Sequence, residues 1–108
     1  MYKLYAFWSA PGAEDVEAFE KHYAEIHLPL ALAVPHLTGL TESRTSDGFE
    51  GTASPTYRIA EMIFDSKNAL EESASSEQWS AMRADSGHII ETFGVTLEVA
   101  MGEAENAK

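Results

Sequence analysis

The sequence predicts an α+β fold of order β-α-β-β-α-β, and three observations carry that expectation. The hydrophobic period switches between two and about 3.6 residues along the chain. Glycine, proline and serine clusters punctuate the switches. The 108 residues, 44% of them apolar, suffice for one core and not for two. A single domain spanning residues 1–108 is therefore expected.

KLYAFW opens the chain as a strand in which Tyr2, Leu4, Ala6 and Trp8 alternate with Lys3, Tyr5, Phe7 and Ser9. Both faces carry large apolar groups, so both need cover. Ala10, Pro11 and Gly12 break the strand, and Glu14, Asp15 and Glu17 suit the first turn of a helix, whose dipole favours acids there. At about 100° per residue, Val16, Phe19, Tyr23, Ile26 and Leu30 fall in one stripe roughly 80° wide, the face that leaves water. His22 and His27 sit on its two margins. Pro29 and Pro35 disfavour helical geometry at Leu28 and Val34, so the regular helix is expected to end near His27 and a kinked turn to lead on to Leu37.

Gly39 starts a second strand that runs through LTESRTS, residues 40–46, into turn formers between Asp47 and Pro55, a long hairpin loop. TYRIAEMIFD, residues 56–65, is the strongest strand, with Tyr57, Ile59, Glu61 and Ile63 on one side and Arg58, Ala60, Met62 and Phe64 on the other. Asp65 or Ser66 can cap the next helix. KNALEESASSEQWSAMRAD reads as two helical pieces, divided near Ser73, Ser75 and Ser76. GVTLEVAM closes the sheet with Val95, Leu97, Val99 and Met101 on one face, and EAENAK is a polar tail. This order is the split βαβ arrangement of the ferredoxin-like fold, a four-stranded antiparallel sheet with two helices on one face. The helices cover only that face, and a homodimer joining two open sheet faces would bury the other.

Charge and composition exclude several function classes. A formal charge of −11, from 18 acids against 7 bases, repels a phosphate backbone, so neither nucleic acid nor an anionic membrane is an expected partner. No apolar run is long enough to span a bilayer, and the N-terminus lacks the pattern of a signal peptide, so a cytoplasmic protein is expected. Cysteine is absent, which removes disulfides, thiolate nucleophiles and cysteine-held metal centres. No motif calls for a cofactor.

His, Tyr and carboxylates are left to carry chemistry. His27 lies four residues after Tyr23, close enough on a helix to share a hydrogen bond or relay a proton; the alternative is a histidine capping the helix C-terminus beside Pro29. His22 is either a second pocket group or a solvent partner of Glu25 or Asp15. Five residues apart, the two histidines point about 140° from each other on a regular helix, and His88 is isolated, so no metal site is expected. Asp85 is a catalytic acid or a structural acceptor before Ser86 and Gly87. Glu61 and Glu98 interrupt apolar strands, and either could act as an acid or base if it faced a cavity. Trp8, Phe19, Tyr57, Trp79 and Phe93 are core residues or the wall of an aromatic pocket; Phe19, Trp8, Glu61 and Trp79 are the expected substrate-pocket residues.

The run Phe19, His22, Tyr23, His27, Pro29 and Leu30, then Pro35, Phe64 to Ser66, and Ser75 to Trp79 leading to Ala84 and Asp85, resembles the EthD family over nearly the whole chain. That family, named for association with degradation of an ethyl ether fuel additive, is similar to the wider group of dimeric α/β-barrel proteins. The group includes cofactor-free monooxygenases, polyketide cyclases and dehydratases, and a muconolactone methylisomerase. The resemblance implies a pocket between sheet and helices with the first helix against it, and the positions that match the family pattern are His22, Tyr23, His27, Pro29 and Asp85. PHLTGL departs from it, since relatives commonly place glycine directly after the proline where this chain has His36. The resulting expectation is a homodimer that binds a small apolar or aromatic ligand and performs cofactor-independent isomerisation, dehydration, cyclisation or oxygenation. His27 would be the general base or acid, Tyr23 its partner and His22 a second pocket group. An oxidoreductase of the EthD type and a non-enzymatic ligand carrier are the alternatives.

Overall fold

Strand β1 (Tyr2–Trp8) lies in the middle of the sheet, because both of its faces are apolar and only a central strand has both backbone edges paired. A computed structural model describing residues Met1–Lys108 gives the sheet order β2-β3-β1-β4, with β2 (Leu37–Arg44), β3 (Arg58–Phe64) and β4 (Leu97–Glu103). Every pairing is antiparallel. The helices are α1 (Val16–His22), α2 (Leu28–Leu32), α3 (Lys67–Ala74) and α4 (Glu77–Phe93). The expected ferredoxin-like βαββαβ architecture is the fold of this chain.

Register fixes what each sheet face carries. Trp8, Ala6 and Leu4 stand opposite Arg58, Ala60 and Met62 on one side and Leu97, Val99 and Met101 on the other, so these side chains share the helix-covered face. Glu42 pairs with Ala60 and joins them, while a bulge between Leu37 and Gly39 resets the alternation of β2. The open face carries Tyr5, Phe7, Ile59 and Ile63, with Lys3 donating to Glu61 at 3.2 Å.

The core falls into two clusters. One gathers Leu4, Ala31, Val34, Met62, Phe64, Leu70 and Met82; the other gathers Trp8, Phe19, Tyr23, Ile89 and Val95. Burying each such large apolar side chain contributes about 1.5–3 kcal/mol. Ser66 and Ser76 cap α3 and α4 by accepting from the backbone N–H of Ala69 and Trp79, which explains the two helical pieces read from the serines. The second piece runs eight residues past Asp85, to a left-handed Gly94 cap at φ 65°, so Asp85 sits in mid-helix and not at an end.

The first helical rod departs from expectation in an informative way. Regular α-helix ends at His22, and Tyr23–His27 forms a π-helical turn in which the Leu28 N–H donates to the Tyr23 carbonyl, five residues back. The wider turn rotates less per residue, so residues four apart stay in line, and Phe19, Tyr23, His27 and Ala31 are all buried. Ile26, assigned to the apolar stripe on the regular wheel, is 47% exposed. His27 has moved from the margin to the centre. Pro29, which has no N–H to offer, falls at the start of α2, and helical geometry persists to Leu32.

Candidate functional site

A cavity of about 230 Å³ lies between the sheet and the helices, and it touches both core clusters. Twelve of its sixteen surrounding residues are hydrophobic. Leu4, Ala6, Ala60 and Met62 form the sheet floor, Tyr23, His27 and Ala31 the first rod's wall, and Trp79, Met82 and Ser86 that of α4. Small side chains at 6, 31 and 60 leave the space open. Trp8 closes one end, its ring set edge-on to those of Phe19, Tyr23 and His27.

His27 is the central polar group of this chamber. Its ring is 6% exposed, and Nδ1–H donates to Asp85 Oδ2 at 2.9 Å. That bond fixes the tautomer with the lone pair on Nε2. The imidazole borders the cavity, and its Nε2 has no hydrogen-bond partner in the protein. Burial lowers the proton affinity of this imidazole, and the nearby Asp85 carboxylate only partly offsets that, so the ring is a neutral base at neutral pH.

Asp85 takes a second imidazole on its other oxygen. His22 Nε2 lies 2.9 Å from Oδ1 and 3.1 Å from Oδ2, and the His22 ring stands 5.3 Å from that of His88. The 140° divergence expected of His22 and His27 disappears, because the π turn between them brings both rings to one carboxylate. His22 itself does not line the cavity; it shares the Asp85 carboxylate with His27.

Tyr23 also differs from expectation. Its ring lies 5.2 Å from that of His27, but its hydroxyl donates to Glu42 at 3.0 and 3.1 Å and shares no hydrogen bond with the imidazole. Glu42 also accepts from Arg58 at 3.3 Å, and Arg58 lies 4.4 Å over the Tyr23 ring while pairing with Glu20, to which Tyr57 donates at 2.8 Å. This network ties Glu42, the one carboxylate lining the cavity, to the surface. Burial, and then the charge of Glu42, push the Tyr23 phenol far above its ordinary value, so it keeps its proton. Burial likewise raises Glu42, and the Tyr23 and Arg58 hydrogen bonds moderate the rise.

Two expected pocket residues lie elsewhere. Glu61 is on the open face with Lys3, since β3 turns Ala60 and Met62 inward and must turn its odd-numbered residues out. Glu98, opposite Phe7, is also on that face. Phe19 is buried behind Trp8 and Tyr23 and forms no part of the cavity wall, whereas Trp8 and Trp79 do. Glu42 is the carboxylate that lines the cavity. It lies on the second strand, and its register opposite Ala60 of β3 is what turns it inward.

Fold and site together define a ferredoxin-like protein with an apolar chamber between sheet and helices. More narrowly, the chain belongs to the EthD family, whose model, described as EthD domain, matches residues 12–92. It is 26% identical to an uncharacterized 11.0 kDa protein of the thcB-thcC intergenic region of Rhodococcus erythropolis, over 90% of each chain. An ethyl tert-butyl ether D family protein from Bacillus halodurans is also 26% identical and superimposes with a TM-score of 0.75, over 97% of this chain and 99% of that one. SnoaB, a cofactor-independent oxygenase from Streptomyces nogalater, shares the fold at 15% identity and a TM-score of 0.61, over 98% and 94% of the two chains.

Proposed function

We propose that this protein is a cytoplasmic, homodimeric enzyme that binds a small apolar or aromatic molecule in the chamber and moves a proton on it without a resident cofactor. The observation that carries this reading is the buried His27 ring on the wall of an apolar cavity, its Nδ1–H on Asp85 and its Nε2 without a partner in the protein. A neutral imidazole there can take a proton from an acidic carbon or hydroxyl of the ligand, leaving the electron pair on the ligand as an enolate or phenolate. Asp85 then stabilises the imidazolium, which returns the proton at another position. Isomerisation, dehydration and cyclisation all begin with this step.

Oxygenation begins with it too, and the likeness of fold to a cofactor-independent oxygenase supports that as a second reading. Exchange of the C1 protons of 2-tetralone with D2O, followed by NMR, tests the shared step. The wild-type protein should accelerate exchange and His27→Gln should not. Equal rates with the two proteins would refute the role of His27, and oxygen uptake with the same probe separates the two readings.

A further inference from the structure

We infer that the ligand carries one anionic group, a carboxylate or an acidic enol or phenol, and that Arg83 receives it at the mouth of the chamber. The inference rests on the reading of the cavity as a ligand site. Arg83 stands four residues after Trp79 and three before Ser86, so the three share the face of α4 that borders the cavity. Of all the surrounding residues only Arg83 and Val99 are exposed, which places the guanidinium where the chamber meets solvent.

The charge of Arg83 has no use within the protein. No carboxylate lies within 4.0 Å of it, although the chain has 18 acids. The other two arginines are engaged, Arg58 between Glu20 and Glu42 and Arg44 over the Tyr57 ring at 5.2 Å. Glu42, the carboxylate on the sheet wall, already accepts from Tyr23 and Arg58, and Asp85 from two imidazoles, so neither competes for Arg83.

A net charge of −11 repels anions from the molecule as a whole, so an anionic ligand needs a local cation to enter. A guanidinium meets a carboxylate with two parallel N–H bonds, a match that a neutral ligand cannot use and a cationic one would oppose. Apolar walls and a volume of about 230 Å³ suit a body of one or two fused rings, with the acid turned outward and its reactive hydrogen toward His27.

Titration of the wild-type protein with 2-naphthoate and with 2-naphthalenemethanol, followed by calorimetry, tests this. The naphthoate should bind at least tenfold more tightly than the alcohol. Arg83→Gln should erase that preference by weakening the acid and leaving the alcohol unchanged, while Arg83→Lys keeps part of it. Equal binding of acid and alcohol, tighter binding of the alcohol, or a preference that survives Arg83→Gln would each overturn the role of Arg83 and leave the chamber's reading intact. Failure of both probes to bind would overturn both. Circular dichroism should show an unchanged fold in both variants, because each replaces an exposed helical residue with another good helix former.

Discussion

The Nδ1 of His27 and the Oδ2 of Asp85 meet at 2.9 Å across the packing of the first helical rod on α4, and they are drawn from positions 58 residues apart. Neither residue would serve alone. An unpaired buried carboxylate would be costly, and an unheld imidazole would be free to present either nitrogen to the cavity.

Asp85→Asn retains shape and loses charge, which weakens the acceptor that fixes the His27 tautomer and removes the anion that would stabilise its cation. Proton exchange on 2-tetralone should fall about 10²–10⁴-fold, the usual scale of general acid–base catalysis. Nitrogen-15 NMR should show the proton of His27 distributed between both ring nitrogens, where the wild type shows it on Nδ1. Wild-type exchange in the variant would show that Asp85 is only a packing partner.

Stability should depend on pH through the same ring. Burial depresses the folded-state pKa of His27, whereas the unfolded chain binds the proton at the ordinary value near 6.5. Above about pH 6.5 the contribution is complete; as pH falls below it, the unfolded state takes up a proton that the folded state refuses, and stability declines by up to about 1.4 kcal/mol per pH unit until the folded-state pKa is reached. Glu42 acts in the opposite sense. Its folded-state pKa is raised above 4.5, so its contribution is present below that pH and is lost as pH rises through the folded value. Urea titrations from pH 5 to 8 should show His27→Gln flattening the decline on the acid side, and Glu42→Gln removing the opposing slope. Parallel pH profiles for wild type and His27→Gln would contradict the burial argument.

His36 is the left-handed residue at the entry to β2, with φ 66°. Its only ion-pair partner is Glu72 at 3.2 Å, both side chains about half exposed, and such a pair contributes little. A non-glycine residue in this conformation costs roughly 1–2 kcal/mol. His36→Gly should therefore be more stable than His36→Ala by about 1 kcal/mol, read as a difference in urea midpoint at constant slope. This is the position at which the sequence departs from the resemblance to the EthD pattern, and the backbone there has kept a geometry suited to glycine.

The βαββαβ order could be read from alternation because β1, β3 and β4 keep strict period two, and the serine caps marked α3 and α4. What could not be read were departures from ideal period. The π turn at Tyr23–His27 moved His27 inward and Ile26 outward, and no wheel drawn at 100° per residue shows that. The inward face of Glu42 is set by its pairing with Ala60 of β3, a tertiary register that the second strand's own residues do not show. Asp85 looked like a helix terminus because Ser86 and Gly87 follow it, yet the packing of Ile89 at 1% exposure holds the helix together beyond them. Local chemistry identified the histidines, but only tertiary contact shows that they share a carboxylate.

The open sheet face yields the last prediction. Tyr5 and Phe7 stack at 6.5 Å on that side, flanked by Ile59 and Ile63, and no element of the chain covers them. Lys3 and Glu61 compensate each other there, Glu98 stands opposite Phe7 on the edge strand β4, and the apolar surface lies between them, where a second copy could pack. A homodimer joined through this face should appear in sedimentation velocity at micromolar concentration. Ile59→Glu places a carboxylate opposite Phe7 and should shift the protein to monomer. Because Ile59 points away from the chamber, naphthoate binding should survive the substitution if the chamber is complete within one chain. A wild-type protein that sediments as a monomer would overturn this assignment, and a dimer unaffected by Ile59→Glu would place the contact on another surface.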